Sequence, residues 1–214
     1  MINIVVLLSG SGSNLQAFID AIKAQTLDAN IVAVISNKAD AFGIQRAQQE
    51  NIPTEVLSHK DFADRDSFDA ALIEKIDPYK PDLIILAGFM RILTPAFVQH
   101  YRGKLLNIHP SLLPKYPGLH THQRAIDAGD SHGGATVHFV TEELDGGPAI
   151  LQAAVAIEAG DDGATLAARV LSVEHRIYPQ AAQWFATGRL ALHNNQAYLD
   201  GELLPPGGAN VEIH

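Results

Sequence analysis

The segment 105–118, LLNIHPSLLPKYPG, contains the residues with the clearest chemical potential in this 214-residue chain. Asn107 and His109 are separated by one residue on an apolar run that predicts a buried strand, so their side chains would point to the same side. An asparagine amide can donate to a developing oxyanion, and a histidine can donate or carry a proton near neutral pH. The pair therefore suits acyl transfer through a tetrahedral intermediate.

Prolines determine where this strand must end. Pro110, Pro114 and Pro117 lack an amide donor and fix φ, so neither a helix nor a central strand can continue through them. In an open parallel sheet, ligands bind outside the carboxyl ends of the strands. A second interpretation stays open, in which Asn107 caps the turn and His109 is a structural histidine, the commoner outcome for an isolated Asn-x-His.

A turn of small residues, SGSGSN at 9–14, lies between an apolar run at 4–8 and a helical pattern that begins at Leu15. At a helix N-terminus, the backbone amides of Gly12, Ser13 and Asn14 could bind a phosphate. A tight turn with a helix cap is equally compatible with these residues. The dinucleotide pattern does not fit, because Leu15 replaces its third glycine, and the P-loop pattern does not fit, because no GK[ST] follows. The GxSxG pattern of serine hydrolases does not fit either.

Strand and helix patterns alternate along the first half of the chain. Strands are predicted at 4–8, 31–36, 54–57 and 82–87, and helices from Leu15 and at 41–50 and 68–76. Alternation with short connections predicts an α/β fold with a doubly wound, mostly parallel sheet and helices on both faces.

The second half has fewer but longer predicted elements. A helix is predicted at 123–128, strands at 135–140 and 149–157, and a long helix at 161–187 that Pro179 should kink or break. The tail from His193 predicts a short hairpin followed by disordered residues.

Composition restricts the class of protein. A formal charge of −9 argues against broad binding of nucleic acid or anionic membrane. The absence of cysteine excludes disulfides and thiolate catalysis and fits a reducing compartment. No apolar run approaches the length of a membrane span, and the N-terminus lacks the features of a signal peptide. We therefore expect a cytoplasmic protein.

The longer string NIHPSLLPKYPGLHTHQRA resembles the signature of the folate-dependent phosphoribosylglycinamide formyltransferase family. The resemblance extends over GSGSN, SNKADAFG, LAGFMRIL, HFVTEELDGGPAILQ and EHRIYP. It implies a formyltransferase-like variant of the Rossmann fold and transfer of a formyl group from 10-formyltetrahydrofolate to the amine of glycinamide ribonucleotide. It also implies a catalytic trio of Asn107, His109 and Asp145. Without the resemblance, Asp145 in a DGG turn would be interpreted as an Asx turn or cap.

The resemblance implies roles for further residues. Glu174 would contact the amine-bearing substrate, although a solvated helix carboxylate is the alternative. The phosphate of the substrate would bind Gly12, Ser13 and Asn14. Folate contacts are implied for Arg65, Met90, Arg91, Ile92, Leu93 and Asn107. For Arg65 and Arg91, an exposed surface cation is the alternative.

We predict a single domain over residues 1–214, with a phosphate-binding half at 1–100, a folate and catalytic half at 101–190 and a tail at 191–214. The predicted partners are small-molecule substrates, without nucleic acid or membrane, and the sequence leaves open whether the protein is a monomer or a homodimer. Ten histidines include His120, His122, His132 and His138, but no HExxH or zinc-finger spacing occurs, so we predict no catalytic metal.

Three other classes of protein share features with this sequence. Methionyl-tRNA formyltransferases usually carry an extra RNA-binding domain and a more basic surface, and formyltetrahydrofolate hydrolases typically carry an N-terminal regulatory domain. The length of this chain disfavours both. A noncatalytic nucleotide-binding module built on GSGSN is the third class, and turnover with both substrates would distinguish it from an enzyme.

Overall fold

The computed structural model describes residues 1–210, and the chain divides into two compact units, one at 1–107 and one that begins at residue 108. The helices and strands are β1 (Ile2–Leu8), α1 (Ser13–Lys23), β2 (Ala29–Ser36), α2 (Phe42–Gln49), β3 (Thr54–Val56), α3 (Arg65–Ile76), β4 (Leu83–Leu86), α4 (Pro95–His100), β5 (Leu105–His109), α5 (Thr121–Asp127), β6 (His132–Phe139), β7 (Ala149–Ala156), α6 (Gly163–Ala186), β8 (Leu190–His193), β9 (Gln196–Leu199), β10 (Glu202–Leu203) and β11 (Ala209–Asn210). Within 1–210, no helix combines the length and apolar character that a membrane span requires.

The first unit is a parallel sheet with the strand order β3-β2-β1-β4-β5. The chain adds strands outward from β1 to β3 and then returns to the other side of β1. Because crossovers between parallel strands are right-handed, this reversal puts the helices of the two halves on opposite faces. Accordingly, α1 packs on α2 and α3 packs on α4. The predicted doubly wound fold is confirmed.

Apolar sequence explains the central strands. Residues 4–8 of β1 and 83–85 of β4 are completely buried, as expected for strands covered on both faces. The helices contribute narrower apolar stripes, such as Leu15, Phe18 and Ile19 on α1. The helix α4 was not predicted, although Thr94 and Pro95 are a recognisable start signal, with the Thr94 hydroxyl accepting from the Phe97 amide at 3.3 Å.

The second unit is built on the antiparallel pair β6 and β7, against which α6 packs. The short strand β11 pairs with β7 in parallel, and β8, β9 and β10 form a separate antiparallel sheet. The predicted hairpin is therefore confirmed, whereas the disorder predicted after it is wrong as far as Asn210. Residues 211–214 lie outside the described residues.

Of the kink or break predicted at Pro179, the break is wrong, because α6 continues from Gly163 to Ala186 with the proline inside it. A proline in a helix interior costs about 3 kcal/mol. The neighbouring residues Ile177, Tyr178, Ala181 and Ala182 are all buried, so the apolar stripe continues through the proline. Burial of this stripe offsets the cost of the lost backbone hydrogen bond.

Candidate active site

His109 is the last residue of β5, and its side chain is almost completely buried, with 6% of the residue exposed. Its Nε2 lies 2.7 Å from the carbonyl oxygen of Tyr116. Because a carbonyl can only accept, Nε2 must carry the proton that is donated. The other ring nitrogen, Nδ1, lies 3.6 Å from Oδ1 of Asp145. The imidazole is thus oriented by its two neighbours, with Nδ1 directed to a carboxylate.

Asp145 approaches His109 from the connection between β6 and β7, 36 residues along the chain, and its side chain is nearly buried. Its Oδ2 accepts a hydrogen bond from the Gly118 amide at 2.9 Å. Gly147 is required by packing, since a Cβ there would overlap the Phe139 carbonyl, whereas a Cβ at Gly146 would meet the flexible Glu143 side chain, which can move. The DGG sequence therefore fixes a turn that directs Asp145 towards His109.

Two other histidines influence the electrostatics around this pair. Burial lowers the pKa of His138, outweighing the raising effects of the Phe139 carbonyl and the Asp145 carboxylate. Burial also lowers the pKa of His122, and its Coulomb interaction with His109 lowers it further. Both shifts favour the neutral form of these two histidines.

Asn107 lies on β5 opposite Leu86 of β4 and is half-buried. It precedes His109 by two residues, and alternate residues of a strand point to the same side. The strand thus presents an amide and an imidazole in the arrangement that the sequence predicted.

The turn after β1 leads directly into the N-terminus of α1. Gly12 has a φ of 70°, and the helix receives no side-chain cap and has no acidic residue in its first turn. Its first backbone amides therefore have neither a helical nor a side-chain acceptor. This end of α1 can accept an anion.

Close packing holds this turn in place. A Cβ at Gly12 would lie 2.6 Å from the Cα of Gly43, so the glycine is needed for contact with α2 as well as for its left-handed φ. Arg46 of α2 donates from Nε to the Ser11 carbonyl at 2.8 Å. Substitution of Gly12 would therefore disturb packing before it affected an anion.

Ser9 is a structural residue of this region whose contacts are not indicated by its local sequence. Its hydroxyl donates to Asn37 Oδ1 at 2.5 Å and accepts from the Met90 amide at 2.9 Å. It thereby links the segments that follow β1, β2 and β4 at the carboxyl edge of the first sheet. A serine in a glycine-rich turn gave no signal for this role, because its partners are distant in sequence.

The segment after β4 exposes large apolar side chains. Met90 is 65% exposed and Ile92 is 50% exposed, while Leu93 is half-buried. Arg91 is not a free surface cation, because its guanidinium lies 4.8 Å from the centre of the Phe68 ring and its buried Nε has no hydrogen-bond partner among the described residues. An exposed apolar strip beside a stacked arginine is suited to a planar, partly anionic ligand.

Arg65 and Glu174 lie in contrasting environments. Arg65 is exposed at the first position of α3, one turn before Phe68, where the Asp64 and Ser67 capping box starts the helix. Glu174 of α6 is buried, so the alternative of a solvated carboxylate is excluded for it. Among residues 1–210, no group of histidine, aspartate and glutamate side chains is arranged to hold a metal ion.

Comparison with known proteins gives a consistent result. Residues 2–182 match the family model described as formyl transferase. The chain is 60% identical over 206 residues to phosphoribosylglycinamide formyltransferase of Escherichia coli K12, covering 96% of this chain and 97% of that protein. It is 52% identical to the enzyme of the same name from Haemophilus influenzae over 208 residues, covering 97% and 98% of the two chains.

Solved structures agree with the sequence relatives. The phosphoribosylglycinamide formyltransferase of Coxiella burnetii superposes with a TM-score of 0.95 at 53% identity, covering 99% of each chain. The glycinamide ribonucleotide transformylase of Symbiobacterium toebii superposes with a TM-score of 0.90 at 43% identity, covering 93% of this chain and 94% of that one.

Proposed function

The chain belongs to the formyl transferase family, and we propose from this membership and from the geometry of His109 and Asp145 that it transfers the formyl group of 10-formyltetrahydrofolate to the amine of glycinamide ribonucleotide. The products are formylglycinamide ribonucleotide and tetrahydrofolate, and the reaction is a step of de novo purine synthesis. The folate is a co-substrate, and no step of the proposed mechanism requires a metal ion.

The first chemical step is attack of the neutral amine on the formyl carbon. The carbonyl π bond opens, so the oxygen gains negative charge while the attacking nitrogen becomes positive. Asn107 donates its side-chain amide to this oxygen, and a positioned donor of this kind contributes about 10²- to 10³-fold in rate. Support for this role comes from its place two residues before His109 on the same strand.

Proton transfer completes the reaction. Asp145 accepts the proton of the attacking nitrogen, directly or through a water molecule, and His109 delivers a proton to the nitrogen of the leaving folate. The carbon–nitrogen bond to tetrahydrofolate then breaks, and the formyl carbonyl re-forms on the new amide. The 3.6 Å separation of His109 Nδ1 and Asp145 Oδ1 is longer than a hydrogen bond, so direct proton exchange within the pair requires it to shorten in the complex with substrate, as catalytic contacts often do.

Binding roles follow from the same family membership. The open N-terminus of α1, at Gly12, Ser13 and Asn14, binds the phosphate of the ribonucleotide, and buried Glu174 contacts its amine-bearing part. The exposed apolar residues 90–93 form a wall for the folate, and Arg65 binds its anionic tail. The lack of cysteine fits a reducing cytoplasmic location.

The observation that carries this proposal is the buried His109–Asp145 pair in a chain whose family performs formyl transfer. The test is to mix the purified chain with 10-formyltetrahydrofolate and glycinamide ribonucleotide and to follow tetrahydrofolate formation. We expect turnover that requires both substrates. Binding of either ligand without any folate product would support a noncatalytic nucleotide-binding module and would contradict the proposal.

A further inference from the structure

A single turn holds both members of the acid–base pair. The Tyr116 carbonyl accepts from His109 Nε2 at 2.7 Å, and the Gly118 amide, two residues later, donates to Asp145 Oδ2 at 2.9 Å. The spacing of these two backbone groups therefore helps to set the orientation of the histidine relative to the carboxylate. We refer to residues 116–118 as the clamp turn.

The clamp turn adopts a backbone conformation that needs outside support. Tyr116 has a φ of 53°, in the left-handed region that bulky side chains rarely adopt. Such conformations persist where the surrounding contacts determine them, and they are concentrated at functional sites. The contacts that hold Tyr116 are therefore of interest.

The Tyr116 side chain is anchored on two sides. Its hydroxyl donates to Asp130 Oδ2 at 2.7 Å, and Lys115 Nζ lies 3.1 Å from the other oxygen of the same carboxylate. The guanidinium of Arg124 lies 5.1 Å from the centre of the Tyr116 ring. Arg124 also donates to the Pro117 carbonyl at 2.7 Å, so one arginine contacts both the ring and the backbone of the turn.

These contacts keep Tyr116 in its donating form. The hydrogen bond to Asp130 raises the pKa of the Tyr116 hydroxyl, and the same bond lowers the pKa of the Asp130 carboxyl. A neutral tyrosine and an ionised aspartate form a charge-assisted hydrogen bond, which is stronger than a bond between neutral groups.

We propose that Tyr116, anchored by Asp130 and Arg124, is a positioning residue that keeps the neutral His109 in the tautomer with its proton on Nε2. In this tautomer Nδ1, which faces Asp145, carries the lone pair and is the nitrogen that takes up and releases the catalytic proton. The clamp turn holds Asp145 in the matching position through Gly118. This inference rests on the proposed function, in which His109 and Asp145 transfer protons.

Conservative variants test the clamp without removing the catalytic groups. Tyr116→Phe removes only the hydroxyl, Asp130→Ala removes its acceptor, and Asp130→Asn restores an acceptor of similar size. Tyr198→Phe is a matched control, because Tyr198 lies on β9 of the separate antiparallel sheet and its hydroxyl donates to the side-chain oxygen of the nearby Gln196 at 3.4 Å. Each variant is measured for kcat, for both KM values and for the ¹⁵N shifts of the two His109 ring nitrogens.

We expect the unaltered protein to show a protonated Nε2 and an unprotonated Nδ1 at a pH where His109 is neutral. In Tyr116→Phe and Asp130→Ala, the two shifts should converge as the tautomers mix. In metal sites, loss of the partner that orients a ligating histidine typically costs about 10- to 100-fold in activity, and by analogy we expect kcat to fall by about tenfold with little change in KM. Asp130→Asn should recover most of this loss, and Tyr198→Phe should match the unaltered protein.

Two results would overturn the proposal. One is an unchanged tautomer in Tyr116→Phe and Asp130→Ala, whether or not kcat falls. The other is a kcat within about twofold of the unaltered protein in both variants, below the range expected for an orienting partner. If the unaltered protein turned over normally, these results would leave the proposed function intact. If it showed no turnover, the proposed function would fail, while the ¹⁵N shifts would still decide whether the clamp controls the tautomer.

Discussion

The turn after β1 and the loops around the end of β5 differ in the chemical groups that each would offer a ligand. The first offers backbone amides, which are exposed because a left-handed glycine starts α1 without a side-chain cap. The second offers the side chains of His109 and Asp145, which are oriented by the backbone of the clamp turn. A binding site made of backbone depends on local packing, whereas a catalytic site made of side chains depends on contacts between distant segments.

The largest expected effect concerns the side-chain site. His109→Ala and Asp145→Ala should each lower kcat by at least about 10²-fold, because in the proposed mechanism each removes a group that transfers a proton. Steady-state assays would measure the loss, and circular dichroism would check the fold. A His109→Ala enzyme within about tenfold of the parent would show that His109 is structural, which would place the chemistry elsewhere.

Substitutions at the turn before α1, where backbone amides would bind the phosphate, should change KM instead of kcat. Ser13→Asp should raise the KM for the ribonucleotide by at least about tenfold, since a fixed negative charge at the start of α1 opposes phosphate. The KM for folate should stay unchanged. Ser13→Asn supplies the neutral control of equal size. Equal effects of both variants on the ribonucleotide KM would exclude charge as the cause and would argue against phosphate binding there.

Arg65 should show a smaller effect, because it is exposed and its contribution is screened by solvent. Arg65→Ala should raise the folate KM by about three- to fivefold and leave the ribonucleotide KM unchanged. Lys104→Ala, which removes another exposed cation just before β5, is the control. An unchanged folate KM in Arg65→Ala would show that Arg65 is an ordinary surface cation.

The smallest expected effect is on Tm, and it comes from substitutions at the N-termini of α6 and α1. Asp162 caps α6 by accepting from the Thr165 amide, and this bond lowers the pKa of the Asp162 carboxyl. The ionised cap therefore stabilises the fold above the ordinary carboxyl pKa and loses its effect as the pH falls through the lowered value. Asp162→Ala should reduce Tm at pH 7 and much less in acid, whereas Ser13→Ala should leave Tm almost unchanged at either pH. A large Tm loss in Ser13→Ala at pH 7 would show that α1 is capped after all.

The parts of the molecule that the sequence predicted are those determined by local pattern. The apolar runs of β1 and β4 and the prolines after β5 specify buried strands and their ends within a few residues. The start of α4 at Thr94 and Pro95 was also locally encoded but was overlooked. Long-range packing decided the rest, as in the continuation of α6 through Pro179 and the pairing of β11 with β7.

The candidate site divides in the same way. The pairing of Asn107 with His109 on one side of a strand follows from alternation along β5 alone. The approach of Asp145 to His109 spans 36 residues, and only the family resemblance indicated it. The bond of Ser9 to Asn37 and Met90 and the bond of Tyr116 to Asp130 had no local signature, because each joins residues from different loops.

The most direct test of the account is a double-mutant cycle on the catalytic pair, because its central claim is that His109 and Asp145 act as one unit. Groups that act together lose most of their effect when either is removed. We therefore expect the kcat of the double variant, His109→Ala with Asp145→Ala, to lie within about tenfold of the kcat of the less active single variant. A double loss equal to the product of the two single losses would show that the residues act independently and would contradict the account.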